Sequence, residues 1–298
     1  MALLQPCLKP PKVISCRRIV ISHFTADPYL RLMRQIAPLA LLCLLPCLPA
    51  AAQSQDDVLT GALRSGWQAA DGSHMAALHL VMAQGWKTYW RSPGDAGIPP
   101  SFDWTGSENV RSVRFHWPRP EVFSLNGLNT IGYKGDLVLP IEVIPADPSL
   151  PVRLRAAVDL GVCSDICLPA SLAFDGVLSG PGAPDPLIHA ALADQPLTGR
   201  EAGLGGIGCR IDPIKDGLRV TGTIDLPRGN GAETVVFEPG LSGVWVSESA
   251  VQRDGNTLVA TAEMVPPQGK PFALDRSMVV VTVISDDRAV EIRGCPAP

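Results

Sequence analysis

The sequence has few aromatic residues, few charges and only one long apolar stretch. Aromatic residues make up 5% of the 298 residues, and charged residues make up 18%. Outside the N-terminal region, no apolar run approaches the ~18 residues that a membrane-spanning helix needs. Residues 1–52 contain six of the 25 basic residues and one of the 29 acidic residues, so the remaining chain has a net charge of about −9. This acidic balance argues against a nucleic-acid-binding surface.

Proline and glycine are abundant, with 29 and 28 residues, a balance that favours short strands and turns over long helices. Residues 152–159 and 113–117 alternate apolar and polar side chains, as half-buried strands do. Further strands are predicted at 137–144, 218–226, 243–247, 258–263 and 278–285. Turn signals separate these segments, at Asn126-Gly127, Asp216-Gly217, Gly229-Asn230-Gly231 and Asp254-Gly255. Short strands at this spacing predict antiparallel sandwiches.

The N-terminal region has the pattern of a secretory signal peptide. Arg34 follows Met33, an apolar stretch spans residues 36–48, and three alanines at 50–52 provide a cleavage site. We expect residues 1–32 to be an upstream extension and Met33 to be the true start. The protein is therefore predicted to be exported, with the signal removed, into an oxidising compartment.

A change in amino-acid composition divides the remaining chain. Residues 181–208 are rich in Gly, Pro and Ala, with one short helix predicted at 187–192, and we interpret this stretch as a linker. The chain is therefore predicted to be all-β, with a first sandwich at 53–180 and a second, smaller one at 209–298. The motif GLGGIG at 203–208 matches a dinucleotide fingerprint, but no strand leads into it and no helix is predicted after it, so no cofactor is expected.

The predicted mature chain contains four cysteines, which allow three pairings. Cys163 and Cys167 lie in one short segment after the strand 152–159, and the segment ends in Pro169, which we expect to stop the ladder. A disulfide between these two cysteines would constrain the unfolded chain little, so redox chemistry is a better explanation than a structural staple. A local staple or two free thiols remain the alternatives.

Cys209 and Cys295 bracket the last ninety or so residues, and we predict a structural disulfide between them. The alternative is a free Cys295 on a frayed C-terminus. Metal binding through Cys163 and Cys167 lacks a second ligand pair nearby, and the histidines show no paired ligand spacing, so no metal site is predicted.

These motifs occur in the order found in a known family. The sequence resembles the N-terminal periplasmic domain of DsbD-type thiol:disulfide interchange proteins, especially ScsB-like members, over roughly residues 61–178. The matching segments are GWKTYWRSPGD at 85–95, Trp104, FHWPRPEVF at 115–123, Gly132-Tyr133, LPIEV at 139–143 and CSDICLP at 163–169. The resemblance implies an immunoglobulin-like β-sandwich. Since residues 200–298 look like the second sandwich of some ScsB-like proteins, we expect two tandem immunoglobulin-like antiparallel β-sandwiches after a cleaved signal peptide.

The resemblance also implies roles for particular residues. Cys167 matches the exposed cysteine that forms mixed disulfides, and Cys163 matches its resolving partner. Phe123 matches the aromatic residue of a cap loop that shields the disulfide, and Glu121 is the one candidate for the acidic residues of that loop. The aromatic residues that flank the site are represented by Tyr89 or Trp90.

The expected function is therefore a periplasmic thiol-disulfide exchange module that relays electrons through Cys163 and Cys167. Its expected partners are a membrane-embedded DsbD-, ScsB- or CcdA-like reductase, or a thioredoxin-like periplasmic protein. The family's membrane segments and thioredoxin-like domain are not found in this sequence, so separate electron partners are expected. Two alternatives are a redox-inert secreted binding module and a periplasmic copper-handling protein.

Overall fold

A computed structural model describes residues 54–125 and 128–298, with the side chain of Leu125 left out. The predicted signal peptide, the upstream extension and the turn at Asn126-Gly127 lie outside the described residues. The described residues form one compact unit. In the described ranges, no helix is long and apolar enough to cross a membrane.

The first part of this unit contains ten strands. Its elements are α1 Gln55–Val58, β1 Leu59–Gln68, β2 His74–Met82, β3 Lys87–Tyr89, β4 Ser101–Asp103, β5 Val110–Phe115, β6 Glu121–Leu125, β7 Leu128–Lys134, β8 Asp136–Pro145, β9 Val152–Cys163 and β10 Cys167–Leu178. They form a four-stranded sheet in the order β1-β2-β8-β5 and a six-stranded sheet in the order β10-β9-β3-β7-β6, with β4 also paired to β9. All these pairings are antiparallel.

The second part contains nine strands and the longer helix. Its elements are α2 Pro186–Ala193, β11 Leu197–Thr198, β12 Gly206–Pro213, β13 Leu218–Asp225, β14 Thr234–Glu238, β15 Trp245–Val246, β16 Ala250–Asp254, β17 Thr257–Val265, β18 Val280–Ile284 and β19 Ala289–Arg293. One sheet has the order β11-β19-β18-β14, and the other has the order β12-β13-β17-β15, with β16 paired to β17. The β11–β19 pair is parallel.

Two clusters of buried side chains lie in this unit. The first includes Trp90, Leu139 and Leu154, and the second includes Phe237 and Leu258. Along β13 and β17 every second residue is buried, which is the alternation of strands with one face toward a core. The all-β prediction is confirmed. The immunoglobulin-like topology, the tandem arrangement and the domain boundaries stay predictions.

The stretch 181–208 contains more regular structure than a flexible linker would. Helix α2 matches the helix predicted at 187–192, and the Asp185 side chain caps it by accepting from the backbone N–H groups of Leu187 at 2.9 Å and Ile188 at 3.4 Å. Ile188 is fully buried. The last three residues of the GLGGIG motif belong to β12, so that motif joins a turn to a strand.

Pro169 does not stop the ladder, and this prediction was wrong. It lies inside β10, directly opposite Gly161 of β9. Since β10 is the edge strand of its sheet, a residue without an N–H group is tolerated where that group would point away from the partner strand. The strand therefore continues for twelve residues, and the cysteine segment is a hairpin end.

Candidate functional site

The cysteine pair closes the end of a long β-hairpin. Cys163 is the last residue of β9, Cys167 is the first residue of β10, and the two are directly opposite each other in the register. They are joined in a disulfide, with their Cα atoms 4.1 Å apart. In the turn between them, the backbone N–H of Ser164 donates to the carbonyl oxygen of Ile166 at 2.9 Å. Two paired strands of twelve residues each therefore position the disulfide.

The two cysteines differ sharply in accessibility. Cys163 is 1% exposed, whereas Cys167 is exposed. Exchange requires a thiolate to reach the sulfur that it attacks, approximately in line with the bond that breaks. Of the two residues, Cys167 is the one that an incoming protein can reach.

Tyr89 lies against the disulfide. Its hydroxyl oxygen is 2.8 Å from the Cys163 Sγ and 3.5 Å from the Cys167 Sγ. Burial raises the pKa of Tyr89, so the phenol keeps its proton and is available as a hydrogen-bond donor to sulfur.

A glycine makes room for this tyrosine. A Cβ atom at Gly161 would lie 3.0 Å from Tyr89 Cε2 and 3.1 Å from Ile98 Cβ, closer than side chains normally approach. Sequence reasoning missed Gly161 and Ile98. A glycine in the middle of an otherwise regular strand next to the cysteines was the available signal.

Trp90 points away from the sulfur atoms. It is fully buried in the first core cluster, and the Arg91 guanidinium lies 4.4 Å from the centre of its ring. Successive side chains of an extended chain point to opposite faces, so Tyr89 and Trp90 cannot both flank the site. Of the two candidates, the structure brings Tyr89 to the disulfide.

Phe123 lies on β6, two strands beyond β3 in the same sheet. Its side chain is 8% exposed. The Nζ atom of Lys134 is 4.4 Å from the centre of its ring, and the Nζ atom of Lys87 is 5.0 Å from it. Glu121, the acidic candidate, is exposed and opposite Gly132. The proposed cap is therefore a phenyl ring that lies under two lysine side chains. Sequence reasoning identified Phe123 but missed both lysines.

The hairpin β6–β7 also contacts the second part of the unit. The side-chain amide of Asn129 on β7 donates to the Glu248 carboxylate, and the hydroxyl of Ser124 on β6 donates to Asn129. A cleft of about 490 Å³ lies beside these contacts, lined by the segment after β3, by β14 and by β15. The hairpin that carries Phe123 therefore contacts the second part of the unit as well as its own sheet.

The second cysteine pair has a different environment. Cys209 and Cys295 are joined in a disulfide, with Cα atoms 5.4 Å apart, and both are almost fully buried in the second core cluster. The Arg276 Nη1 donates to the carbonyl oxygens of Cys209 at 2.7 Å and of Cys295 at 3.2 Å. This bridge is inaccessible, as a structural disulfide should be. Among the described residues, no group of three or more potential metal ligands occurs.

Comparisons with known proteins agree with this geometry. Residues 56–178 match the family described as "Thiol:disulfide interchange protein DsbD, N-terminal". We refer to this segment as the DsbD N-terminal-type domain, after the family that it matches. The crystal structure of the N-terminal periplasmic domain of ScsB from Proteus mirabilis superposes with a TM-score of 0.62 at 22% identity, over 83% of this chain and 96% of that one. No curated protein matches the chain by sequence. The ScsB likeness concerns the fold, and it extends beyond the DsbD N-terminal-type domain into the second part of the unit.

Proposed function

We propose that the DsbD N-terminal-type domain exchanges electrons with partner proteins through the Cys163–Cys167 disulfide, in the periplasm. The observation that carries this proposal is the asymmetry of the pair. One cysteine is exposed at the end of a hairpin, and the other is buried beside a phenol. A disulfide that served as a staple would need neither the exposed sulfur nor the hydrogen bond to its partner.

The proposed reduction takes two steps. A partner thiolate attacks the Sγ of Cys167, a partner–Cys167 disulfide forms, and the Sγ–Sγ bond breaks with its electron pair on Cys163. A second thiol of the partner, as its thiolate, then attacks the partner's sulfur atom in the mixed disulfide. This attack releases Cys167 as a thiolate and leaves the partner with a disulfide. The domain has then gained two electrons, and running the steps backward passes them to an oxidised target.

Tyr89 supports this mechanism at the buried sulfur. When the bond breaks, the negative charge appears on Cys163, which has 1% exposure and little contact with water. The Tyr89 hydroxyl is within hydrogen-bonding distance of that sulfur and can donate to the thiolate without a rearrangement. Hydrogen bonds to charged groups contribute roughly 1.5–3 kcal/mol, enough to assist the departure of this sulfur.

Phe123 is proposed to restrict access to the exposed sulfur, as the resemblance implied. Phe123 is opposite Thr130, and Lys87 is opposite Lys134. Because Thr130 and Lys134 are an even number of residues apart on β7, Phe123 and Lys87 project from the same face of the sheet. An adventitious oxidant or thiol would then reach Cys167 less easily than a partner able to displace the ring. The proposed partners are a membrane-embedded DsbD-like reductase and thioredoxin-like periplasmic proteins.

The test is a trapping experiment with matched cysteine variants. Cys163→Ala leaves a free Cys167 that should capture partners as mixed disulfides, because Cys163 is no longer present to displace the partner from Cys167. Cys167→Ala leaves the buried Cys163 and should capture few. Both variants should be expressed with their export signal and analysed by non-reducing electrophoresis after acid quenching, with the Cys163→Ala/Cys167→Ala double variant as the blank. Equal capture by all three would contradict the proposal.

A further inference from the structure

Two lysines share one phenyl ring on the sheet that carries the disulfide. Lys87 is opposite Cys163 on one side and opposite Lys134 on the other, so the three side chains project from the same face of the sheet. Both ammonium groups lie over Phe123, at 5.0 and 4.4 Å from its centre. Positive charge is therefore concentrated between the disulfide and its proposed cap.

This charge is not neutralised by the protein. Among the described residues, neither Lys87 nor Lys134 has a carboxylate within salt-bridge distance; the recorded polar contact of Lys87 is a 3.3 Å hydrogen bond to Thr130 Oγ1. Burial lowers the pKa of Lys87, and repulsion from Lys134 lowers it further. Glu121, on the same strand as Phe123, and Asp165, between the cysteines, are exposed. The pair is therefore open to an external anion.

We infer that Lys87 and Lys134 form a recognition site for carboxylates that lie next to the reactive cysteine of the partner protein. The inference rests on the exchange function proposed above and specifies which kind of surface docks. The described chain is otherwise acidic, with a net charge of about −9 after residue 52, so an acidic partner is repelled over most of the molecule and attracted at this face. Such a field favours encounters in which the two redox sites meet.

Apolar side chains complete this surface. Ile166, between the cysteines, is 55% exposed, and Ile98, against Gly161, is 45% exposed. An apolar rim that excludes water strengthens the charge interactions inside it. The same ammonium groups favour the incoming thiolate and the negative charge that appears on Cys163 when the disulfide breaks.

The test uses three small thiols that differ in the charge of the distal group. These are 2-mercaptoethanesulfonate, 2-mercaptoethanol and cysteamine, which carry a negative, a neutral and a positive group. Rate constants for reduction of Cys163–Cys167 are determined per thiolate at low salt for wild type and for Lys87→Gln/Lys134→Gln. Since all three attack as thiolates, the ratio of anionic to cationic reagent isolates the effect of the distal charge.

We expect this ratio to fall about fivefold in the double variant, from the interaction of each unit charge with two ammonium groups at roughly 8–10 Å in screened water. The difference between wild type and variant should disappear in 1 M salt, where the Debye length is about 3 Å. The matched control is Lys270→Gln, which removes one exposed positive charge from the turn after β17 and should leave the ratio unchanged.

A second variant separates charge from structure. Lys87→Arg/Lys134→Arg keeps both charges and their contact with Phe123, so it should keep the wild-type ratio. An unchanged ratio in the glutamine variant, or an equal fall in the arginine variant, would overturn the recognition site. If no thiol reduces Cys163–Cys167 at any charge, the proposed exchange function fails instead, so the two failures are distinguishable.

Discussion

Arg91 donates two hydrogen bonds to the Glu238 carboxylate, at 2.8 and 2.9 Å, and thereby joins the segment after β3 to β14. Its Nη2 also donates to Glu291 of β19 at 2.8 Å. Burial acts to lower the pKa of Arg91, but the hydrogen bonds and charges of the two glutamates outweigh burial and raise it. Arg293 pairs with Glu291 as well, at 2.7 Å. Arg91 follows Tyr89 by two residues, so this ion cluster anchors the strand that positions the phenol against the disulfide.

The first prediction concerns this ion cluster. Arg91→Met should lower the free energy of unfolding by about 3 kcal/mol, because it removes the charge that two mostly buried carboxylates share and leaves Glu238 unpaired and Glu291 with only the exposed Arg293. Urea denaturation measures the loss. The matched control is Arg219→Met, which breaks an exposed pair with Glu263 and should cost roughly 0–1 kcal/mol. Equal losses in the two variants would mean that Arg91 contributes no more than a surface ion pair.

The second prediction concerns the Tyr89 hydroxyl. In a Cys167→Ala background, Tyr89→Phe should raise the pKa of the Cys163 thiol by about one unit, because the thiolate loses a hydrogen bond of roughly 1.5 kcal/mol. Thiolate absorbance as a function of pH measures this shift. Tyr133→Phe is the control, since the Tyr133 hydroxyl donates to the carbonyl oxygen of Pro118 at 2.9 Å, and its loss should leave the thiol pKa unchanged. A pKa that did not move in the Tyr89 variant would remove its proposed role.

The third prediction concerns the cap. Phe123→Ala should accelerate reduction of the disulfide by 2-mercaptoethanol and should cost less stability than the 3–5 kcal/mol or so typical of a buried phenylalanine. The reason is that the ring packs under two lysine side chains as well as on the sheet. Phe237→Ala, in the second core cluster, should show the opposite pattern, with a full core penalty and an unchanged reduction rate. Unchanged reactivity of the Phe123 variant would leave that residue with a packing role alone.

The fourth prediction concerns the buried disulfide. Replacing Cys209 and Cys295 together by Ala should lower the free energy of unfolding by about 2–5 kcal/mol, because the bridge closes a loop over a sequence separation of 86. Exchange through Cys167 should persist, as judged by mixed-disulfide capture in a Cys163→Ala background. Loss of capture in a folded variant would mean that exchange at Cys167 depends on the second disulfide, which would contradict a purely structural role for Cys209–Cys295.

Much of the fold could be predicted from local patterns. All seven strands predicted from the sequence overlap strands of the structure, and helix α2 is where its periodicity indicated. The strands that were not predicted have less regular patterns. Strand β2 has one fully buried face, but its sequence HMAALHLVM is a nearly continuous apolar run, and β10 has three consecutive exposed or half-exposed residues between its buried ones. The tolerance of β10 for Pro169 depended on its place at the sheet edge, which no local pattern specifies.

The sequence by itself determined the β-rich character of the chain and the candidate cysteines, because alternation and cysteine spacing are local properties. It also narrowed the flanking aromatic residue to Tyr89 or Trp90. Only the tertiary structure decided between these two, exposed one cysteine while burying the other, and placed Lys87 and Lys134 over Phe123. These features depend on the register between strands. Lys87 and its partner Thr130 are 43 residues apart, and Arg91 and Glu238 are 147 residues apart, so their proximity follows from strand pairing and packing.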